Sequence, residues 1–163
     1  MNPVTAERRH FEDLAEGELI RLGTTTVTRE MIFAFAREFD PFPFHLDEKA
    51  AKASLLGGLA ASGWQTAALS LKLLGDAFLS NVASMGGLGF SDLKWRKPVM
   101  VDDTIGGTAT IVSLRRSRSH PERGIVAIEF DIRNHKGEQV MTIKLANLVE
   151  LRDPSAPMPE AAE

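Results

Sequence analysis

Gly63-Trp-Gln-Thr-Ala-Ala-Leu-Ser-Leu-Lys-Leu-Leu-Gly-Asp-Ala-Phe-Leu79 reads as a single long helix near the middle of a 163-residue chain. Trp64, Ala67, Ala68, Leu71, Leu74 and Phe78 recur at helical spacing, and Leu69 and Leu73 add apolar residues beside that stripe. Apolar side chains around so much of one helix predict that other structure encloses it, with Trp64 in the core. Downstream, four strand-like stretches at 89–97, 104–116, 124–134 and 138–152 can provide the cover. Their period of two is clearest in Val126, Ile128, Phe130 and Ile132, and in Met141, Ile143 and Leu145, as expected of strands with one face on a core. His135-Lys-Gly137 reads as the hairpin turn joining the last two. A long helix followed by an antiparallel run of strands is an α+β arrangement.

Working back from that helix, the glycine- and alanine-rich stretch 55–62 leads into it. Before this stands Phe39-Asp-Pro-Phe-Pro-Phe-His-Leu-Asp47. A short strand is expected at 19–27. Thr28 then caps a helix whose buried face is Ile32, Phe35, Ala36 and Phe39. Pro41 and Pro43 lack an amide hydrogen and push the residues before them toward extended geometry, so that helix stops near Phe39 and Asp40 sits at its exit. Asp47 caps a further short helix to about residue 53, which leaves His45 in a rigid bend between two helices. The length suits one domain, taken as 1–152. Residues 153–163, with Pro154, Pro157 and Pro159, read as a flexible tail.

Composition narrows the chemistry. There are no cysteines, so disulfides, thiolate metal sites and cysteine nucleophiles are excluded. A net charge of -3 argues against general nucleic-acid binding, and Arg115, Arg116 and Arg118 read as a solvated basic loop. No apolar run is long enough to cross a bilayer and the first residues do not resemble a signal peptide, so a cytoplasmic protein without membrane attachment is expected. Gly57-Gly58 and 85–89 lack the spacing of phosphate-binding loops. His10, His120 and His135 fall in a polar start, a loop and a turn, and are expected at the surface.

Asp40 and His45 stand apart from these. A carboxylate and an imidazole suit acid/base work on one water. Fully extended chain would separate them by about 16 Å, so the two can share a water only if the prolines fold the segment into a turn.

The chain resembles the MaoC-like dehydratase family, the hydratase-2 group of single hotdog domains that includes (R)-specific enoyl-CoA hydratases. The resemblance runs from Phe11 to Leu151. It rests most on the 39–47 segment, which matches the family order of Asp, two residues ending in Asn, Pro, any residue, His, any residue and Asp, with Ala50 beyond. Phe11-Glu-Asp-Leu-Ala-Glu-Gly17, Gly57-Gly-Leu-Ala-Ala-Ser-Gly63 and Lys97-Pro-Val-Met-Val-Asp-Asp-Thr104 resemble other family segments. Phe39 and Phe42 depart from it, standing where Gly and Asn are usual.

What the resemblance implies is a hotdog fold, a curved antiparallel sheet wrapped around the long central helix. It implies hydration or dehydration of an enoyl-CoA or 3-hydroxyacyl-CoA thioester by an Asp40/His45 dyad. The oxyanion would be held by the Gly63 amide, with Ser62 as a helper, because the first amides of a helix lack partners within it. Phe42 and Trp64 would line the substrate site, and Lys94, Arg96 and Lys97 would meet the phosphates of coenzyme A. No metal or other cofactor is expected, coenzyme A being part of the substrate. A homodimer joined edge to edge through its sheets is expected. Two other functions stay open: a hotdog acyl-CoA thioesterase, and a catalytically weak subunit that binds acyl thioesters. Asp47 is read as a helix cap rather than as chemistry.

Overall fold

The computed structural model describes residues 8–157. Its sheet is antiparallel throughout and comprises β1 (Leu19–Arg21), β2 (Thr25–Thr26), β3 (Ser84–Trp95), β4 (Thr104–Arg116), β5 (Arg123–Asn134) and β6 (Gln139–Glu150). The strand order is β1-β4-β5-β6-β3, with β2 also paired to β4. Alternation places Val126, Ile128, Phe130 and Ile132 of β5, with Ile143 and Leu145 of β6, on the core side. The 135–137 turn joins β5 to β6, and Gly137 takes the positive φ of 78° that the turn requires.

Two strand expectations need correction. The single strand at 19–27 is broken: its pairing with β4 slips by one residue between Arg21↔Thr108 and Thr25↔Ile105, opposite Gly106-Gly107. Gly107, at φ 145°, lies so close to Asp131 that a Cβ there would stand 2.0 Å from its carbonyl oxygen. β3 begins five residues earlier than expected and ends at Trp95, leaving Arg96 and Lys97 beyond it. Its glycine-rich first half hides a strand whose pairing with β6 shifts register three times.

The helices are α1 (Arg29–Phe39), α2 (Pro43–Leu46), α3 (Glu48–Ala53) and α4 (Gly63–Ala77). The Thr28 hydroxyl accepts the Met31 amide hydrogen at 3.3 Å and caps α1, whose buried residues are Ile32 and Ala36. Phe39, expected on that face, is 68% exposed. The long helix α4 also differs from expectation. Its buried residues are Gln65, Thr66, Ser70, Leu73 and Leu74, whereas Trp64, Ala68 and Leu71 are exposed. Thr66 and Ser70 tolerate burial because their hydroxyls donate to the carbonyls of Ser62 (3.3 Å) and Thr66 (2.8 Å) one turn back. The polar-looking side of α4 therefore faces the core, and the sheet crosses this helix as in the hotdog fold.

The two ends of the described chain meet. Arg152 donates to both Asp13 oxygens, at 3.1 and 2.7 Å, and Glu12 accepts from the backbone amides of Arg152 and Asp153. Arg116 is a half-buried residue of β4, not part of a solvated loop, and its guanidinium donates to the carbonyls of Pro154 and Ala156. These contacts hold 153–157, the first part of the expected tail; the rest lies outside the described residues. His10 is half-buried rather than exposed. No helix among the described residues is long and apolar enough to cross a membrane.

Candidate active site

The segment from Asp40 to Asp47 folds as its prolines require. Asp40 ends α1, its amide donating to Ala36 O at 3.1 Å, and the Phe42 amide donates back to Asp40 O at 2.8 Å across Pro41. Pro43 then opens α2 as its first residue, where a missing amide hydrogen costs nothing. His45 thus lies inside a one-turn helix instead of a bend. The Asp47 carboxylate closes the segment by capping α3 through the Ala50 amide at 2.7 Å. This fold brings Asp40 Oδ2 to 3.5 Å from His45 Nε2.

The state of His45 follows from its other nitrogen. Nδ1 lies 2.9 Å from the carbonyl oxygen of Ala60, which can only accept, so Nδ1 carries a hydrogen. In the neutral ring Nε2 is then a lone pair, aimed toward Asp40. Ala60 is itself fixed: residues 59–61 pair with 99–101, Ala61 N–H donating to Val99 O at 2.8 Å and Val101 N–H to Leu59 O at 2.9 Å. His45 is 6% exposed and packs edge-on against the Phe44 ring at 4.7 Å. A 3.5 Å separation is longer than a good N···O hydrogen bond, so each group keeps hydrogen-bonding capacity for a molecule between or beside them.

Both groups open onto a cavity of about 590 Å³, whose walls also carry Ser62, Gly63, Phe42 and Trp64. Gly63 is the first residue of α4, and its amide has no carbonyl one turn earlier within the helix. The Ser62 hydroxyl accepts from the Trp64 amide at 3.2 Å, a cap that does not use its own proton. Arg96 and Lys97 line the same cavity, whereas Lys94 does not. Lys97 is engaged with Glu138, while Arg96 has no charged partner among the described residues. Phe42, 56% exposed, stacks on Phe44 at 5.4 Å where an Asn would have offered polar atoms.

Sequence reasoning missed Trp95. Its indole Nε1–H donates to Gly63 O at 2.9 Å and its ring packs edge-on against Trp64, with centroids 5.4 Å apart. A Cβ on Gly63 would stand 2.4 Å from that ring. The absence of a side chain at Gly63 is therefore demanded by Trp95. Ala60, whose carbonyl orients His45, was missed as well. No residue type could have signalled it, because only its backbone acts.

A family model described as the MaoC like domain matches residues 13–130. The crystal structure of a MaoC-like dehydratase from Rhodospirillum rubrum is 40% identical and superposes with a TM-score of 0.81, covering 88% of this chain and 98% of that one. An (R)-hydratase from A. caviae is 26% identical, with a TM-score of 0.66 over 86% of this chain and 98% of that one. A mesaconyl-CoA hydratase of Cereibacter sphaeroides is 32% identical over 88 residues, which is 54% of this chain and 24% of the relative. The match thus spans about a quarter of that relative's length.

Proposed function

Because the chain belongs to the MaoC-like domain family, a family of hydratases and dehydratases, we propose that it adds water to a trans-2-enoyl-CoA, or removes it from the 3-hydroxyacyl-CoA, in the cytoplasm. The observation that carries this reading is the 3.5 Å approach of Asp40 Oδ2 to His45 Nε2 in one cavity with the first residue of α4. In hydration a water oxygen bonds to the β-carbon, one water proton passes to the dyad, and the dyad delivers a proton to the α-carbon. Both events are proton transfers around one added water, so the reaction calls for no redox cofactor, and we assign no metal to it. His45, fixed through Nδ1, presents Nε2 as one proton relay, and Asp40 is the other.

Negative charge develops on the thioester oxygen as water attacks the β-carbon. The Gly63 amide, at the positive end of the α4 dipole, is the donor we assign to it, with the Ser62 hydroxyl beside it. Arg96 is the cation we assign to a coenzyme A phosphate, and Lys97 takes part only by leaving Glu138. A second copy of the chain is assigned to the exposed edge of β3, giving a homodimer; an unpaired twelve-residue edge carrying Leu88 and Phe90 would otherwise template aggregation.

The test is hydration of trans-2-butenoyl-CoA followed by loss of enoyl absorbance. Asp40→Asn and His45→Gln should each lower kcat/KM by roughly 10²–10⁴-fold with the melting temperature of the parent. Parent-like rates in both variants would overturn the assignment. Release of free coenzyme A in place of a hydroxyacyl product would move the reading to a thioesterase.

A further inference from the structure

Beyond the Asp40/His45 cavity lies a second one, of about 240 Å³, between α4 and the sheet. Its walls are almost wholly apolar and include Ala67, Ala68 and Leu71 of α4, with Phe130 and Leu145 of the sheet. Trp64 is the one residue that lines both cavities. The placement follows from helix geometry: Trp64, Ala67, Ala68 and Leu71 stand at i, i+3, i+4 and i+7 on one stripe. Moving from Gly63 to Leu71 advances about 12 Å along the axis. Ala67 and Ala68, with their small side chains, line the second space together with Trp64. That indole is braced by Trp95, which is tied in turn to Gly63 O.

Resting on the hydratase reading, we propose that Trp64 sets the acyl-chain length. A thioester carbonyl at the start of α4 with its β-carbon at the dyad sends its tail along the helix toward Trp64. With the indole in place the tail must be short. With the indole removed, the tail continues into the apolar space along Ala67, Ala68 and Leu71. The occupant fits the walls: a hydrocarbon needs no hydrogen-bonding partners, and the polar residues of α4 are turned to the other side.

The test compares trans-2-butenoyl-CoA with trans-2-octenoyl-CoA. The parent should favour the butenoyl substrate. Trp64→Ala should raise the octenoyl-to-butenoyl ratio of kcat/KM by about tenfold or more, since each methylene buried is worth nearly a kcal/mol. Refilling the space in Trp64→Ala/Ala67→Phe should return the ratio toward the parent's. Should Trp64→Ala fold poorly, Trp64→Leu carries the same expectation. The saturated butyryl-CoA and octanoyl-CoA, titrated calorimetrically, give the corresponding ratio of Kd without any turnover. An inactive parent therefore sinks the hydratase reading while the Kd ratio still judges the gate. A parent that already prefers the longer chain, or a ratio that stays put in both Trp64 variants, overturns the gate.

Discussion

Gly63 shows how one residue can look functional in a sequence for one reason and be required in the structure for another. The resemblance implies an oxyanion donor there, through an amide that any residue would carry, whereas its missing side chain is matched to Trp95, which lies against it and binds its carbonyl. Gly63→Ala would drive a methyl group into a ring held in place by its own hydrogen bond. Overpacking of this kind costs about 1–3 kcal/mol. Urea denaturation should show that loss, and it should shrink in a Trp95→Leu background, where the ring is gone. Equal losses in both backgrounds would mean that Gly63 is needed for a reason other than Trp95. The approach of Asp40 to His45 was legible, because Pro41 and Pro43 constrain a few neighbouring residues and their effect is local. The Trp95 contact was not, since it joins positions 32 apart through a strand whose end no local signal marks.

Among the elements, legibility followed how far each obeyed a simple period. β5 and β6 alternate cleanly and were placed to within a residue or two. The apolar spacing locates α4 along the chain but not its buried face at Trp64 and Leu71, because Thr66 and Ser70 satisfy their hydroxyls on their own helix and can be buried in their place. β3 breaks the period altogether: its register shifts near Gly86, Gly89 and Asp92, and Asp92 adopts a positive φ of 54°. It is also an edge, with Leu88 at 56% exposure despite an apolar side chain. If a second copy covers that edge, placing a charge there should break the pair. Light scattering should give the parent twice the mass of one chain and Leu88→Lys a single mass, with the circular dichroism of the parent retained. A parent that scatters as one chain rules the edge-paired dimer out.

At the scale of the whole molecule the sequence was silent about how the chain closes on itself. Asp13 and Arg152 lie 139 positions apart, so no window of sequence could pair them. The Arg152 guanidinium holds the Asp13 carboxyl below the usual carboxylate range. Burial pushes Glu12 upward, but the amides of Asp153 and Arg152 outweigh it and leave that carboxyl lowered too. In the unfolded chain both return to ordinary values near 4. A carboxyl whose folded value lies below its unfolded value adds stability above the unfolded value and loses it as pH falls through the folded one. This contribution is therefore level at neutral pH and declines below about pH 4. Melting temperatures from pH 7 to pH 2.5 should fall more steeply in the parent than in Glu12→Gln/Asp13→Asn, which starts lower and loses less. The amides of Arg152 and Asp153 should also lose protection from hydrogen exchange at low pH before the amides of β5 and β6 do, since they donate to Glu12. If the acid slope is the same in parent and variant, the contacts of Glu12 and Asp13 with 152–153 add nothing to acid-dependent stability, and the acid sensitivity of the fold must arise at other carboxylates.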